Sequence, residues 1–127
     1  MTLVVLIVDD ESDVELLFRQ QFRRELRDGQ WSMEFALTAE AALEKIRDAS
    51  GRLILLVSDI NMPGMSGLDL IPRAKALRPD LPVVMVTAYG DPQTRSAALA
   101  RGADGFLTKP IDFAALRAEI AARAGAR

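Results

Sequence analysis

Four short stretches hold the residues able to do chemistry. Asp9, Asp10 and Glu11 are consecutive acids, and Asp59 heads the run Ile60-Asn61-Met62-Pro63-Gly64. Thr87 precedes Ala88, and Lys109 precedes Pro110. Carboxylates that converge without a cation repel and raise one another's pKa. A hard divalent ion relieves that repulsion, and Mg²⁺ is typically held by one or two carboxylates, waters and phosphate oxygens. An ammonium and a hydroxyl then suit the remaining oxygens of a tetrahedral phosphoryl group, whose transfer asks mainly for positioning and charge neutralisation. A carboxylate can itself be the nucleophile, forming an aspartyl phosphate. Asp59, with a Pro-Gly turn behind it, is the candidate for that role.

These residues meet only if the fold brings them together. Leu3 to Val8, Leu53 to Val57 and Val83 to Val86 are uninterrupted apolar runs, the pattern of strands buried on both faces of a parallel sheet. Met33 to Leu37 and Gly105 to Thr108 are weaker strand candidates. Helical spacing falls between the strands. Val14, Leu17, Phe18, Phe22 and Leu26 mark one face of a first helix, and Thr38 caps a second with Ala39, Ala42, Leu43 and Ile46 inward. Ser66 to Leu77 is a third, where Pro72 predicts a kink unless it lies in an exposed turn. Asp91-Pro92 opens a fourth that Gly102 stops, and Asp112 caps a last one carrying Phe113, Leu116 and Ile120 inward. Strict β-α alternation predicts a doubly wound α/β domain in three layers, with a parallel sheet and right-handed crossovers. Ligands of such sheets bind outside the carboxyl ends of the strands, and each of the four stretches follows a predicted strand.

Composition narrows the chemistry. The 127 residues make one domain, expected over 1–124 with a tail over 125–127. Eighteen acids against 16 Lys plus Arg argue against a direct nucleic-acid binder. No Cys rules out thiolate metal sites and cysteine nucleophiles, and no His removes the commonest general base. Leu3 to Val8 is too short to span a membrane and runs into acids, so a cytoplasmic domain is expected. No Gly-x-x-x-x-Gly-Lys loop is present to hold ATP.

Together, Asp9-Asp10, the run Asp59 to Gly67, Val86-Thr87-Ala88 and Lys109-Pro110 resemble the receiver domain of two-component response regulators, over essentially the whole chain and in the right order. The resemblance implies a CheY-like, flavodoxin-like sheet of order 2-1-3-4-5. It implies Asp59 as phosphoacceptor and Mg²⁺ or Mn²⁺ held by Asp10, Asp59, the Asn61 backbone carbonyl and, through water, Asp9. Lys109, Thr87 and the Ala88 backbone N–H would bind the phosphoryl group. Thr87 and Phe106 would form the switch, and the Lys109-Pro110 bond would be cis. Tyr89 and Asn61 are candidate gates of access. The implied partners are a sensor histidine kinase or histidine phosphotransfer protein and a downstream output domain or protein, with a phosphorylation-dependent homodimer as a further implied state. The readout would run through the Asp91–Arg101 helix, the fifth strand and the last helix. Such a domain is no enzyme toward other substrates; it catalyses only its own phosphoryl transfer and autodephosphorylation.

Plainer readings stand beside these. Asp9 and Asp10 also suit a helix N-terminus, Thr87 an ordinary strand position, Lys109 a surface, and Phe106 a core. Arg19, Arg23, Arg24 and Arg27 read as a solvated helix face. A haloacid-dehalogenase-like phosphatase would want its acids two apart, and a flavodoxin-like redox module a Thr/Ser-rich loop where this chain has Asp9-Asp10-Glu11.

Overall fold

The computed structural model describes residues 2–88 and 90–125; Tyr89 and the last two residues of the expected tail lie outside them. The strands are β1 (Val4–Val8), β2 (Ser32–Ala36), β3 (Leu53–Asp59), β4 (Val83–Thr87) and β5 (Gly105–Thr108). They pair in parallel, in the order β2-β1-β3-β4-β5. The three uninterrupted apolar runs are the central strands β1, β3 and β4, and every residue of each is buried. The mixed sequences of β2 and β5 sit at the edges, where one flank has no partner strand.

Among the described residues the helices are α1 (Asp13–Gln21), α2 (Arg23–Arg27), α3 (Ala39–Ala49), α4 (Gly67–Leu77), α5 (Pro92–Ala100) and α6 (Phe113–Gly125). Strand alternation sends Leu6, Leu56 and Met85 to one face, where Ile46 of α3, Leu70 of α4 and Ala98 of α5 cover them. Ile7, Val57 and Val86 point the other way, onto Phe18 of α1 and Leu116 and Ile120 of α6. Two cores on two sheet faces make the three layers. The expected caps form: Thr38 Oγ1 accepts the Ala41 N–H at 3.0 Å, Asp91 Oδ1 that of Thr94 at 2.7 Å, and Asp112 Oδ1 that of Ala115 at 3.1 Å.

Two expectations need correction. The first helix is not continuous, because Phe22 leaves helical geometry at φ −108° and ψ 22° and divides α1 from α2. Arg117 of α6 lies over the Phe22 ring and donates to the Gln21 carbonyl at 2.7 Å. A side chain that bonds a helix carbonyl in this way is a known cause of a kink. Leu17, expected inward, is exposed, while Phe18 and Phe22 fill the interior. Pro72 needs no correction: it lies at an exposed position within a continuous α4, the case that the sequence left open, where water can serve the carbonyl its ring leaves without a donor. The last helix runs to Gly125, the first residue of the expected tail.

The turn between β3 and α4 depends on two glycines. Gly64 has φ +78°, a conformation that favours glycine. Gly67 matters for space: a Cβ there would lie 2.1 Å from the Asp59 carbonyl oxygen and 2.8 Å from Ile60 Cα. Its N–H donates to the Ile60 carbonyl at 2.8 Å, which folds the turn back on the strand end. Gly67→Ala is therefore expected to lower stability by about 3 kcal/mol, near the upper end of overpacking costs. Urea unfolding measures it; an unchanged midpoint means that the turn relaxes freely.

Candidate functional site

Because the strands are parallel, their carboxyl ends share one rim. The last register pairs there are Val8↔Ser58, Asp59↔Val86 and Thr87↔Thr108. Asp9 therefore leaves β1 beside the end of β3, and Lys109 leaves β5 beside Thr87. The Lys109 N–H donates to the Thr87 carbonyl at 2.8 Å, and the Asp9 N–H to that of Ala36 at 3.1 Å, so both exits are tied to neighbouring strands. The Lys109-Pro110 bond is cis.

Asp9, Asp10 and Asp59 each place a carboxylate oxygen within 4.8 Å of the others. The Lys109 ammonium lies 3.5 Å from Asp9 Oδ2 and 3.4 Å from Asp59 Oδ2, which are ion-pair distances longer than a close hydrogen bond. Asp9 and Asp59 are 8% and 7% exposed, whereas Asp10 is open to solvent. Asp9 is further fixed by the Glu11 N–H, which donates to its Oδ1 at 2.9 Å. Three hard oxygen donors on one side of an ammonium fit a divalent cation of the Mg²⁺ or Mn²⁺ kind.

Desolvation dominates the charge balance at Asp9. Burial raises its pKa; the Glu11 N–H and Lys109 pull it back, Asp59 adds to the rise, and the net shift is upward from 3.8. At Lys109 burial acts against the ammonium, but the attraction of Asp59 and Asp9 outweighs it and the pKa stands above 10.5. The lysine is cationic throughout the neutral range.

The remaining predicted residues are spread around this cluster. Thr87 is fully buried at the end of β4, on the sheet face shared by Val83 and Met85. Phe106 pairs with Met85 and packs, half-buried, against that same core, so Thr87 and Phe106 lie on one face. Asn61 and Ala88 sit at exposed positions in the loops that leave β3 and β4. An open groove of about 310 Å³ borders the acids, walled by Val14, Leu17, Phe18, Pro110, Ile111 and Phe113 with Asp9 and Lys109 at its edge. A larger cavity of about 480 Å³, between α1, α2 and Arg117, includes none of the site residues. Sequence reasoning passed over Ser58. Its signal was present: it is the one polar residue between the apolar run Leu53–Val57 and Asp59. Its hydroxyl is fully buried and donates to the Asp59 carbonyl at 2.9 Å.

The family described as "Response regulator receiver domain" matches residues 5–121. The chain belongs to the response regulator receiver family. The receiver domain is 36% identical over 118 residues to the response regulator protein PilR of Pseudomonas aeruginosa, covering 91% of this chain and 25% of that one. It thus spans about a quarter of that relative's length. Among solved structures, a CheY-like receiver domain from Methanospirillum hungatei superposes with a TM-score of 0.84 at 30% identity, covering 98% of this chain and 95% of that one. A CheX-CheY-BeF3-Mg complex from Borrelia burgdorferi gives 0.78 at 29%, covering 95% and 85%. Within the receiver domain, no helix among the described residues is long and apolar enough to cross a membrane.

The raised pKa of Asp9 has a consequence for stability. Its charge costs more in the folded chain than in the unfolded one, so this contribution is fully present below the ordinary value of 3.8 and is lost as pH rises through the raised pKa. Asp9→Asn keeps the acceptor for the Glu11 N–H but removes the charge. In metal-free buffer at pH 7 it is expected to raise Tm by about 2–5 °C, with the gain vanishing toward pH 3. Differential scanning calorimetry across that range checks the sign.

Proposed function

We propose that this receiver domain takes a phosphoryl group from a phosphohistidine onto Asp59, with Mg²⁺ or Mn²⁺ bound by Asp10, Asp59 and the Asn61 carbonyl and, through water, by Asp9. The reading rests above all on the cluster of Asp9, Asp10 and Asp59 oxygens within 4.8 Å, faced by the Lys109 ammonium. The bound cation would spread the charge that builds on the phosphoryl oxygens. An Asp59 carboxylate oxygen attacks phosphorus as the N–P bond of the donor breaks. The bonding pair returns to the imidazole nitrogen, which takes a proton from water. Lys109 pairs with one phosphoryl oxygen, while Thr87 and the Ala88 N–H bind another. The chain holds no histidine, so the imidazole belongs to a sensor kinase or a phosphotransfer protein. The apolar groove beside Asp9 and Lys109 gives that donor a surface to approach along.

The BeF3 and Mg named for the Borrelia CheY complex support the same chemistry here. Phosphorylation would draw the buried Thr87 toward the phosphoryl group, admit Phe106 inward, and re-order α5, β5 and α6. That surface would meet an output domain or protein, or a second phosphorylated copy, in the cytoplasm and without direct nucleic-acid contact. Asn61 and Tyr89 would set how water reaches the acyl phosphate, and the receiver unit would extend over 1–124.

Acetyl phosphate with Mg²⁺ should add one labile phosphoryl group to the wild type and none to Asp59→Asn, read by intact mass. An unlabelled wild type would make this a receiver-shaped interaction module instead. Asp10→Ala is expected to weaken Mg²⁺ binding at least tenfold, on the order of 1.4 kcal/mol. Calorimetry is the suitable probe, because Trp31 is buried against Phe22 in the α1–α6 core. Thr87→Ala should still accept the phosphoryl group but lose the phosphorylation-dependent change in amide exchange over residues 91–108. Retention of that change would remove Thr87 from the switch.

A further inference from the structure

We infer that Ser58 is a positioning residue for the phosphoacceptor, holding the peptide carbonyl of Asp59 so that its carboxylate stays on the metal-binding acids and Lys109. The inference deepens the phosphoacceptor reading and rests on it. Backbone groups of successive strand residues point to opposite flanks. In β3 the N–H groups of Leu56 and Ile60 donate toward β4, to the carbonyls of Pro82 and Val86. Asp59, one residue before Ile60, therefore directs its carbonyl toward β1.

Pairing with β1 has already ended there, at Val8↔Ser58. The Asp9 N–H turns to the opposite flank, where it donates to Ala36 of β2 at 3.1 Å. Among the described residues, the donor that reaches the Asp59 carbonyl is the Ser58 hydroxyl, at 2.9 Å. Gly67 lies against the same oxygen so closely that a Cβ would stand 2.1 Å from it. The carbonyl is thus held by a hydroxyl and by the close backbone of α4's first residue.

Burial makes this contact consequential. Ser58 is 0% exposed on the sheet face that carries Leu56 and Met85, and a buried carbonyl that loses its donor must turn or bear the cost of desolvation. Turning the peptide after Asp59 changes the geometry of the same residue whose Oδ2 lies 3.4 Å from Lys109. Reactions that depend on alignment are sensitive to shifts of about an ångström.

The test compares near-isosteric residues. Ser58→Thr keeps the hydroxyl and Ser58→Val replaces it with a methyl; Ser58→Ala adds no bulk. Phosphorylation by acetyl phosphate is followed by intact mass over a range of donor and Mg²⁺ concentrations. Ser58→Thr should stay within about twofold of wild type, whereas Ser58→Val and Ser58→Ala should lose roughly tenfold in maximal rate, the scale of a modest misalignment. The donor and Mg²⁺ concentrations for half-maximal rate should be unchanged. A merely structural hydroxyl would shift Tm without this split. Equal rates for the Thr and Val variants, or a wild-type rate in Ser58→Ala, overturn the positioning role alone. An unlabelled wild type overturns the phosphoacceptor reading and this inference with it.

Discussion

Three carboxylates within 4.8 Å of one another, set against a single ammonium, are the constraint on which this molecule is organised. Like charges at such separations repel, more strongly where burial lowers the effective dielectric. No local feature of a loop would hold them there. The rigid part is the sheet, whose three central strands are buried along their whole lengths. Two of the acids are anchored at the ends of β1 and β3, so the stability of the core offsets the cost of the rim. The Asp9 pKa is shifted upward first by burial, and the Asp59 charge adds to that rise.

Burial is distributed unevenly over the helices. α3 and α4 each bury four residues against the sheet, while α5 buries only Ala98. β5 beside it has no fully buried position. Segments with few buried apolar contacts are those that rearrange at low free-energy cost. The half of the sheet that carries Asp9 and Asp59 is thus built to stay fixed. The flank that carries Thr87 and Phe106 on one sheet face has less burial to lose, which is the asymmetry that the proposed phosphorylation switch would use.

The sequence made this fold legible because local and long-range signals agree. Uninterrupted β-branched runs named the central strands, and Thr38, Asp91-Pro92 and Asp112 marked helix starts that the structure then capped with those side chains. The acids and Lys109 were legible because each sits at or just past the end of a strand. The break at Phe22 was not, since its cause lies 95 residues away in Arg117, whose side chain bonds Gln21 and Glu25. Spacing along one helix cannot report a partner on another. Leu17 failed for a related reason: its periodicity fits the inner stripe, but Phe18 and Phe22 occupy the space beneath it. Ser58 was overlooked because a single hydroxyl beside a carboxylate carries no motif; its meaning depends on where β1 stops pairing.

Phosphorylation at Asp59 would sharpen the same electrostatic problem. A phosphoryl group brings about −1.5 to −2 charges at neutral pH, next to Asp9 and Asp10. Lys109 alone cannot balance that, and the chain has no other cation among the described residues that contact the acids. The phosphorylated state would then depend on a divalent ion for its charge and on buried hydroxyls for its shape. Charge would be set by what binds at the open side, through the exposed Asp10. Shape would be set from the buried side, by Ser58 next to Asp59 and by Thr87 at the end of the neighbouring strand. Under the proposed function the rim would separate two tasks: its solvent side would admit donor and metal, and its buried side would convert their arrival into a change of packing.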